Sequence, residues 1–347
     1  MMLKVWFTVL FALGFGTTVV FASSHWLLAW IGLEINVIAF IALVPLSSSP
    51  RYTEAMTKYF LVQAAAAGML LFATISNAWI SGQWGMMQLN EHTPVVIAIL
   101  ALALKLGVAP LHIWMPEVLQ CLPYRDGLIL LTWQKLAPFY LLLHVGYDTN
   151  LLLILGLLSI LIGGWGGLNN TKMRKIVAYS SIANMGWMML TLQSYPSLSF
   201  IVLILYFVVV LALMEIIKMV NGTSINSLAS SWSKSPIISS MLPLILLSTG
   251  GLPPLTGFMP KWLILQELTK QDLAPLATLA ALSSLLSLYF YLRVSYAMTL
   301  TISPNIPMNT LPWRLSSNQH TLTLAFATSI SLCLLPLTPA ILAFLTL

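Results

Sequence analysis

Four ionisable residues interrupt long apolar stretches: Glu34, Lys105, Lys135 and Lys261. A carboxylate and three amines offer no redox chemistry, but they can pick up and release protons. A charge in the middle of an apolar span costs several kcal/mol or more unless it is paired, hydrated or neutralised. A buried lysine can give up its proton, whereas an arginine practically never does. Three lysines and no arginine at these positions therefore favour proton relay over fixed charge. In this reading Glu34, as carboxylate, keeps a proton on one lysine, most directly Lys105. Drawing the carboxylate away pushes that proton on, Lys135 passes it along, and Lys261 delivers it toward one aqueous face. His112 is a further candidate relay, since imidazole titrates in the right range. It can equally be a core histidine with satisfied partners, and both readings stand. The alternative for each lysine is a static ion pair or a snorkelling side chain.

Lys105 and Lys261 lie beside a repeated pattern. Gly107, Pro110, Leu111, Trp114, Met115 and Pro116 recur as Gly251, Pro254, Leu255, Phe258, Met259 and Pro260 at a constant offset. Proline lacks an amide hydrogen and clashes with the preceding turn, so the helix must open around Gly107 and Pro110 and again around Gly251, Pro253 and Pro254. Freed carbonyls at membrane depth survive only if buried in protein or lining a wet cavity. Discontinuous helices in corresponding places of two halves point to an ion path. One copy by itself would be read equally well as a packing kink.

The elements that hold these residues must be membrane helices. The chain has 347 residues, 59% of them apolar and only 7% charged, far below the quarter or so charged in soluble domains. Nearly every stretch of about 20 residues is apolar enough to cross a hydrocarbon core. The polar and proline-rich stretches divide the chain into about eleven spans, approximately 3–22, 25–45, 56–80, 94–120, 124–146, 150–169, 174–193, 198–219, 236–270, 273–298 and 322–345. The fourth and ninth spans carry the repeat. They are five apart, an odd number, so the two copies enter the membrane from opposite faces, the mark of an inverted-topology transporter. The expected fold is an all-α polytopic membrane protein forming one membrane domain over 1–347. It comprises a first five-helix repeat at 1–147, an inverted second at 148–300, and a loop with a C-terminal helix at 301–347.

Charge placement supports the parity. Lys4, Arg51, Lys58, Arg125, Lys172, Arg174, Lys175, Lys218, Lys234 and Arg314 fall on the side of the N-terminus, and Glu91, Asp148, Lys270 and Asp272 on the other. The positive-inside tendency puts the N-terminus on the cytoplasm-equivalent side and the C-terminus across the membrane. Lys4, the first apolar run and Ala22, Ser23 and Ser24 also mimic a signal peptide. The reading above needs that run retained.

Several classes are excluded. The net charge of +6 is dispersed, with no basic patch interleaved with aromatics, so no nucleic-acid partner is expected. Cys121 and Cys333 are the only cysteines, too few to ligate an iron–sulfur cluster. Gly14 and Gly16 lack the third glycine and the strand of a dinucleotide fingerprint. The chain is thus expected to hold no metal and no cofactor. Glu54 with Lys58, and Glu215 with Lys218, are spaced as surface pairs. Glu117, at the position that Lys261 holds in the second copy, is either a counter-charge or an interfacial residue. Gly163, Gly164, Gly166 and Gly167 permit close helix contact and are not a phosphate loop.

The runs S-S-H-W-L-L-A-W-I-G-L-E-I-N from Ser23, L-A-L-K-L-G-V-A-P-L-H-I-W-M-P-E from Leu102, L-L-T-W-Q-K-L-A-P from Leu130 and G-G-L-P-P-L-T-G-F-M-P-K-W from Gly250 carry a family resemblance, as do the runs from Gly163 and Leu288. They closely resemble the vertebrate mitochondrial NADH dehydrogenase subunit 2 family, antiporter-like membrane subunits of respiratory complex I, over nearly the whole chain. The resemblance implies a proton-translocating subunit of NADH:ubiquinone reductase in the mitochondrial inner membrane, multi-pass, with its N-terminus in the matrix and its C-terminus facing the intermembrane space. It implies that the family's glutamate and three lysines fall on Glu34, Lys105, Lys135 and Lys261. It further implies that NADH, FMN, the iron–sulfur clusters and ubiquinone belong to partner subunits. The expected partners are neighbouring antiporter-like and small core membrane subunits, and phospholipid. Bacterial relatives start with three additional helices, and the stretch Cys121–Asp126 is more basic and bulky than the family pattern. Two rival readings stand beside this one: a self-contained cation/proton antiporter, which would want more oxygen ligands than this lysine-rich set offers, and a structural membrane scaffold.

Overall fold

The computed structural model describes residues 2–43, 50–89, 91–145, 149–233, 236–300, 321–340 and 343. Asp148, Lys234, Arg314, the side chain of Lys4, the loop 301–320 and the last residues of the expected final span lie outside the described residues. Every element is helical, and no strand occurs among the described residues. That follows from the composition, because a helix satisfies its backbone hydrogen bonds internally and so can carry apolar side chains on every face into lipid. Large side chains such as Phe72, Trp79 and Trp165 stand 62%, 89% and 75% exposed, an outer surface suited to hydrocarbon and not to water. Among the described residues, the helical stretches Pro50–Ser81, Asn150–Gly167, Pro196–Val220 and Ala274–Leu300 are each long and apolar enough to cross a membrane.

The chain divides into two compact units, residues 1–158 and 159–347. The first contains α1 (Met2–Ala22), α2 (Trp26–Ala42), α3 (Pro50–Ser81), α4 (His92–Leu106), α5 (Trp114–Cys121), α6 (Tyr124–Leu131), α7 (Trp133–His144) and the start of α8 (Thr149–Gly167). α1 and α2 lie tightly together because Gly16 and Gly32 face each other. A Cβ on Gly32 would stand 2.9 Å from the Gly16 carbonyl oxygen. Gly16 is therefore a packing residue. At one end of this unit Arg125 stacks on the Trp6 ring at 3.8 Å and Tyr52 donates a hydrogen bond to Asp126 at 2.5 Å. The bulky, charged character of Cys121–Asp126 thus has a structural role, tying α6 to α1 and α3. Lys58 pairs with Glu54 at 3.0 Å and with Glu117 at 3.1 Å, all three exposed. Glu117 is thus an exposed counter-charge to Lys58.

The second unit contains the end of α8, α9 (Met173–Thr191), α10 (Pro196–Val220), α11 (Ile225–Ala229), α12 (Pro236–Gly250), α13 (Phe258–Lys270), α14 (Ala274–Leu300) and α15 (Leu322–Cys333). α9 is its central helix, with nearly every residue from Ile176 onward buried. The four glycines near the end of α8 serve two neighbours. Gly163 and Gly166 face Ala183 and Tyr179 of α9, while Gly164 and Gly167 face Leu286 and Phe290 of α14. Spacing of three along a helix puts each pair on one face. Glu215 and Lys218 form a pair at 3.5 Å, as their spacing suggests.

Two expected spans are not continuous. The fifth, expected over 124–146, is divided into α6 and α7 at Thr132, whose φ of −115° and ψ of −75° lie well off ideal helix values. The Thr132 hydroxyl donates back to Leu128 O at 2.7 Å, a contact that bends helices, while Pro138 lies within the continuous α7. The last, expected to reach 345, ends as an α-helix at Cys333 and passes through a 3₁₀ turn over Leu335–Leu337, where Pro336 removes the next amide donor.

The glycine contacts generate a prediction. In Gly163→Ala the new Cβ would lie 2.8 Å from the Ala183 backbone nitrogen, which cannot swing aside. Thermal unfolding should show a loss of about 1–3 kcal/mol, as for an overpacked core. Gly14→Ala, with nothing within 4 Å, should be neutral or slightly stabilising.

Candidate functional site

Both interrupted helices end in the same way. At the end of α4, Gly107 adopts φ +72°, its amide bonds to Leu104 O at 3.2 Å and the Val108 amide to Ala103 O at 3.0 Å. At the end of α12, Gly251 adopts φ +82°, its amide bonds to Ser248 O at 2.9 Å and the Leu252 amide to Leu247 O at 3.4 Å. This is the left-handed glycine cap with two reversed hydrogen bonds, which ends a helix without stranding its last carbonyls. The chain stays non-helical over 107–113 and 251–257, then restarts at Trp114 and Phe258. The repeat seen in the sequence is thus a repeat of backbone conformation. Pro110, Pro253 and Pro254 all lie inside the breaks, where their missing amide hydrogens cost nothing.

The first break positions Lys105, two residues before its glycine cap. The side chain is 2% exposed, and its Nζ lies 3.8 Å from Glu34 Oε1 of α2. Glu34 Oε1 and Lys105 Nζ are both buried and have no hydrogen-bond partner. The pair is therefore held by charge alone across a gap. At 3.8 Å the attraction is about 4 kcal/mol at an effective dielectric of about 20. Desolvating each ion costs several kcal/mol. Attraction and penalty are close in size, so the pair does little for stability and responds to any movement of the carboxylate. Trp114 supports the break from below, donating from Nε1 to Leu104 O at 3.1 Å.

Lys135 sits in the first turn of α7, just after the Thr132 interruption, and is 2% exposed. Lys105 and Lys135 line a common cavity together with Asn36, Gln63, Gln134 and Tyr59. About 20 Å³ of it is open to the centre of a water molecule, enough for at least one water. Gln134 ties the cavity walls, its Nε2 donating to Asn36 O at 3.3 Å. Sequence reasoning selected the two lysines and missed the amides around them. Their signal was present, since Asn36, Gln63 and Gln134 are polar residues inside apolar spans. His112 stands apart: half-exposed within the break, with Nδ1 3.2 Å from Pro110 O, and not part of the cavity lining.

Lys261 belongs to the second unit and reaches its break from the opposite side in sequence. It lies on α13, after the break, and its Nζ donates to Gly250 O at 2.7 Å, one of the carbonyls at the end of α12. Gly251 is required for this approach, because a Cβ there would come within 2.9 Å of Lys261 Cδ. A larger cavity adjoins it, with about 50 Å³ open to water centres, lined mainly by apolar side chains of α9 and α10 and by Ser180, Asn184, Tyr206, Ser248 and Thr256. Ser248 and Thr256 both donate to Ser331 O of α15, at 2.9 and 2.5 Å. The final helix thereby clasps the second break.

Gly251→Ala should accordingly displace the Lys261 amine as well as strain the backbone. The φ penalty alone is about 1–2 kcal/mol. Thermal unfolding should register the loss, and accessibility of Lys261 to an amine-modifying reagent should rise.

Residues 23–287 match the family model described as NADH:quinone oxidoreductase/Mrp antiporter, TM, and residues 288–342 match that described as NADH dehydrogenase subunit 2 C-terminus. Similar curated proteins include NADH-ubiquinone oxidoreductase chain 2 of Tetraodon nigroviridis, 60% identical over 96% of this chain and 97% of that one, and of Salmo salar, 57% identical over 97% of each. Among solved structures, a chain of respiratory complex I from Thermus thermophilus with bound aureothin superposes with a TM-score of 0.87 at 25% identity, covering 98% of this chain and 79% of that one. A chain of the Mrp complex from Dietzia sp. DQ12-45-1b shares the fold, with a TM-score of 0.75 at 17% identity over 86% of this chain and 61% of the other. Sequence and fold agree: the chain belongs to the NADH:quinone oxidoreductase/Mrp antiporter family of membrane proteins.

Proposed function

We propose that this chain is a proton-translocating membrane subunit of NADH:ubiquinone oxidoreductase in the mitochondrial inner membrane, and that its buried glutamate and lysines carry the protons. Membership of the family and the full-length likeness to proteins named NADH-ubiquinone oxidoreductase chain 2 support the setting. The observation that carries the mechanism is the buried pair of Glu34 and Lys105 at 3.8 Å, beside a helix break and sharing a cavity with Lys135.

The proposed steps use the groups at the two breaks. With Glu34 ionised, Lys105 keeps its proton. When Glu34 is drawn off or neutralised, an ammonium that is 2% exposed loses its counter-charge and its proton moves to a neighbouring acceptor. A water in the shared cavity leads to Lys135. Lys261, already donating to a carbonyl at its own break, serves the corresponding transfer in the second unit. His112 adds a route between the first break and solvent. The two units are read as inverted repeats over 1–147 and 148–300, followed by a C-terminal segment over 301–347. The N-terminus is placed in the matrix and the C-terminus in the intermembrane space. Electron transfer, with its NADH, FMN, iron–sulfur clusters and ubiquinone, is assigned to partner subunits, so this chain contributes to the enzyme without redox catalysis of its own. Neighbouring antiporter-like and small core membrane subunits, with phospholipid, are its partners.

Lys105→Met and Lys135→Met should each leave the complex assembled and its NADH oxidation by an artificial electron acceptor intact. Proton-coupled turnover should fall by about 100-fold, the low end of what losing a positioned acid–base group costs. Normal translocation by assembled variants, measured in sealed vesicles, would support a purely structural role instead.

A further inference from the structure

We infer that Gln63 is a positioning residue for proton transfer between Lys105 and Lys135, holding water in the cavity they share; the inference rests on the function proposed above. Gln63 lies on α3, one turn from Tyr59, and both side chains reach the cavity. Gln63 is 3% exposed, buried at mid-helix in a run otherwise composed of apolar residues, F-L-V-Q-A-A-A-A. An amide in such a place is retained at a cost unless it has a hydrogen-bonding task. The task is evident from its surroundings. Lys105 Nζ is buried without a hydrogen-bond partner, and Lys105 lines the same cavity as Gln63, together with Asn36 and Gln134. Polar atoms at a cavity with room for a water recruit one, and such a water usually makes about three hydrogen bonds.

Gln63 suits this role because its amide both donates and accepts. It can orient a water whichever lysine holds the proton, accepting from the water in one state and donating to it in the other, while keeping no charge of its own. Its position is set independently of the lysines. Tyr59, one turn away, is packed edge-on against Phe40 at 5.0 Å and Trp114 at 5.8 Å, so the face of α3 that bears Gln63 is fixed against both α2 and the restart after the first break.

The test compares Gln63→Leu, Gln63→Asn and Lys105→Met in the assembled complex. Gln63→Leu fills the site with an apolar side chain of similar size. Its proton-coupled turnover should fall about tenfold, the worth of one net hydrogen bond. It should also show a larger solvent deuterium isotope effect, with assembly and artificial-acceptor activity unchanged. Gln63→Asn should restore most of the turnover, which a purely packing role would not predict for a shorter side chain. If Gln63→Leu translocates protons at the normal rate and isotope effect while Lys105→Met does not, this inference fails and the proposed function stands. If Lys105→Met is also normal, the proposed function fails with it.

Discussion

The open gap within the Glu34–Lys105 pair is the constraint on which the rest of the first unit depends. Two opposite charges sit 3.8 Å apart with no hydrogen bond between them, in a place where desolvation costs about as much as their attraction returns. Such an arrangement persists only if its surroundings hold it open. Gly16 lets α2 lie close on α1, Trp114 pins the end of α4, and Gln134 ties α7 to α2. These contacts fix the backbones and leave the charged side chains the freedom to respond.

The two glycine-capped breaks show the same backbone solution put to different uses. In the first, the lysine precedes the cap and faces a carboxylate. In the second, the lysine follows the break and donates back to Gly250 O, while hydroxyls from the end of α12 and from the break itself share the Ser331 carbonyl. A charged partner makes the first lysine sensitive to electrostatics. A carbonyl partner makes the second sensitive to helix geometry. One repeated motif thus gives its two lysines different kinds of partner.

Much of this was legible in the sequence because lipid removes ambiguity. A lone Glu34 or Lys261 in an apolar run stands out, and G-x-x-P twice at a constant offset forecasts two breaks at the residues where they occur. What escaped had two sources. The interruption at Thr132 goes with a local hydroxyl back-bond to Leu128 O, which a threonine in an apolar run does not announce; the rest was set by contacts distant in sequence. The cavity amides Asn36, Gln63 and Gln134 come from three different helices, so no local pattern joins them. Glu117 looked like a counterpart of Lys261 by its place in the repeat, yet Lys58 on α3 claims it at the surface.

The central claim is that Glu34 and Lys105 act as one unit in moving protons. A double-mutant cycle of Glu34→Gln, Lys105→Met and the combined variant, read as protons translocated per electron in sealed vesicles, tests it most directly. The account predicts that the double variant is no worse than Lys105→Met alone, since the carboxylate acts only through the lysine. Losses that simply add would show the two residues working separately and would contradict it.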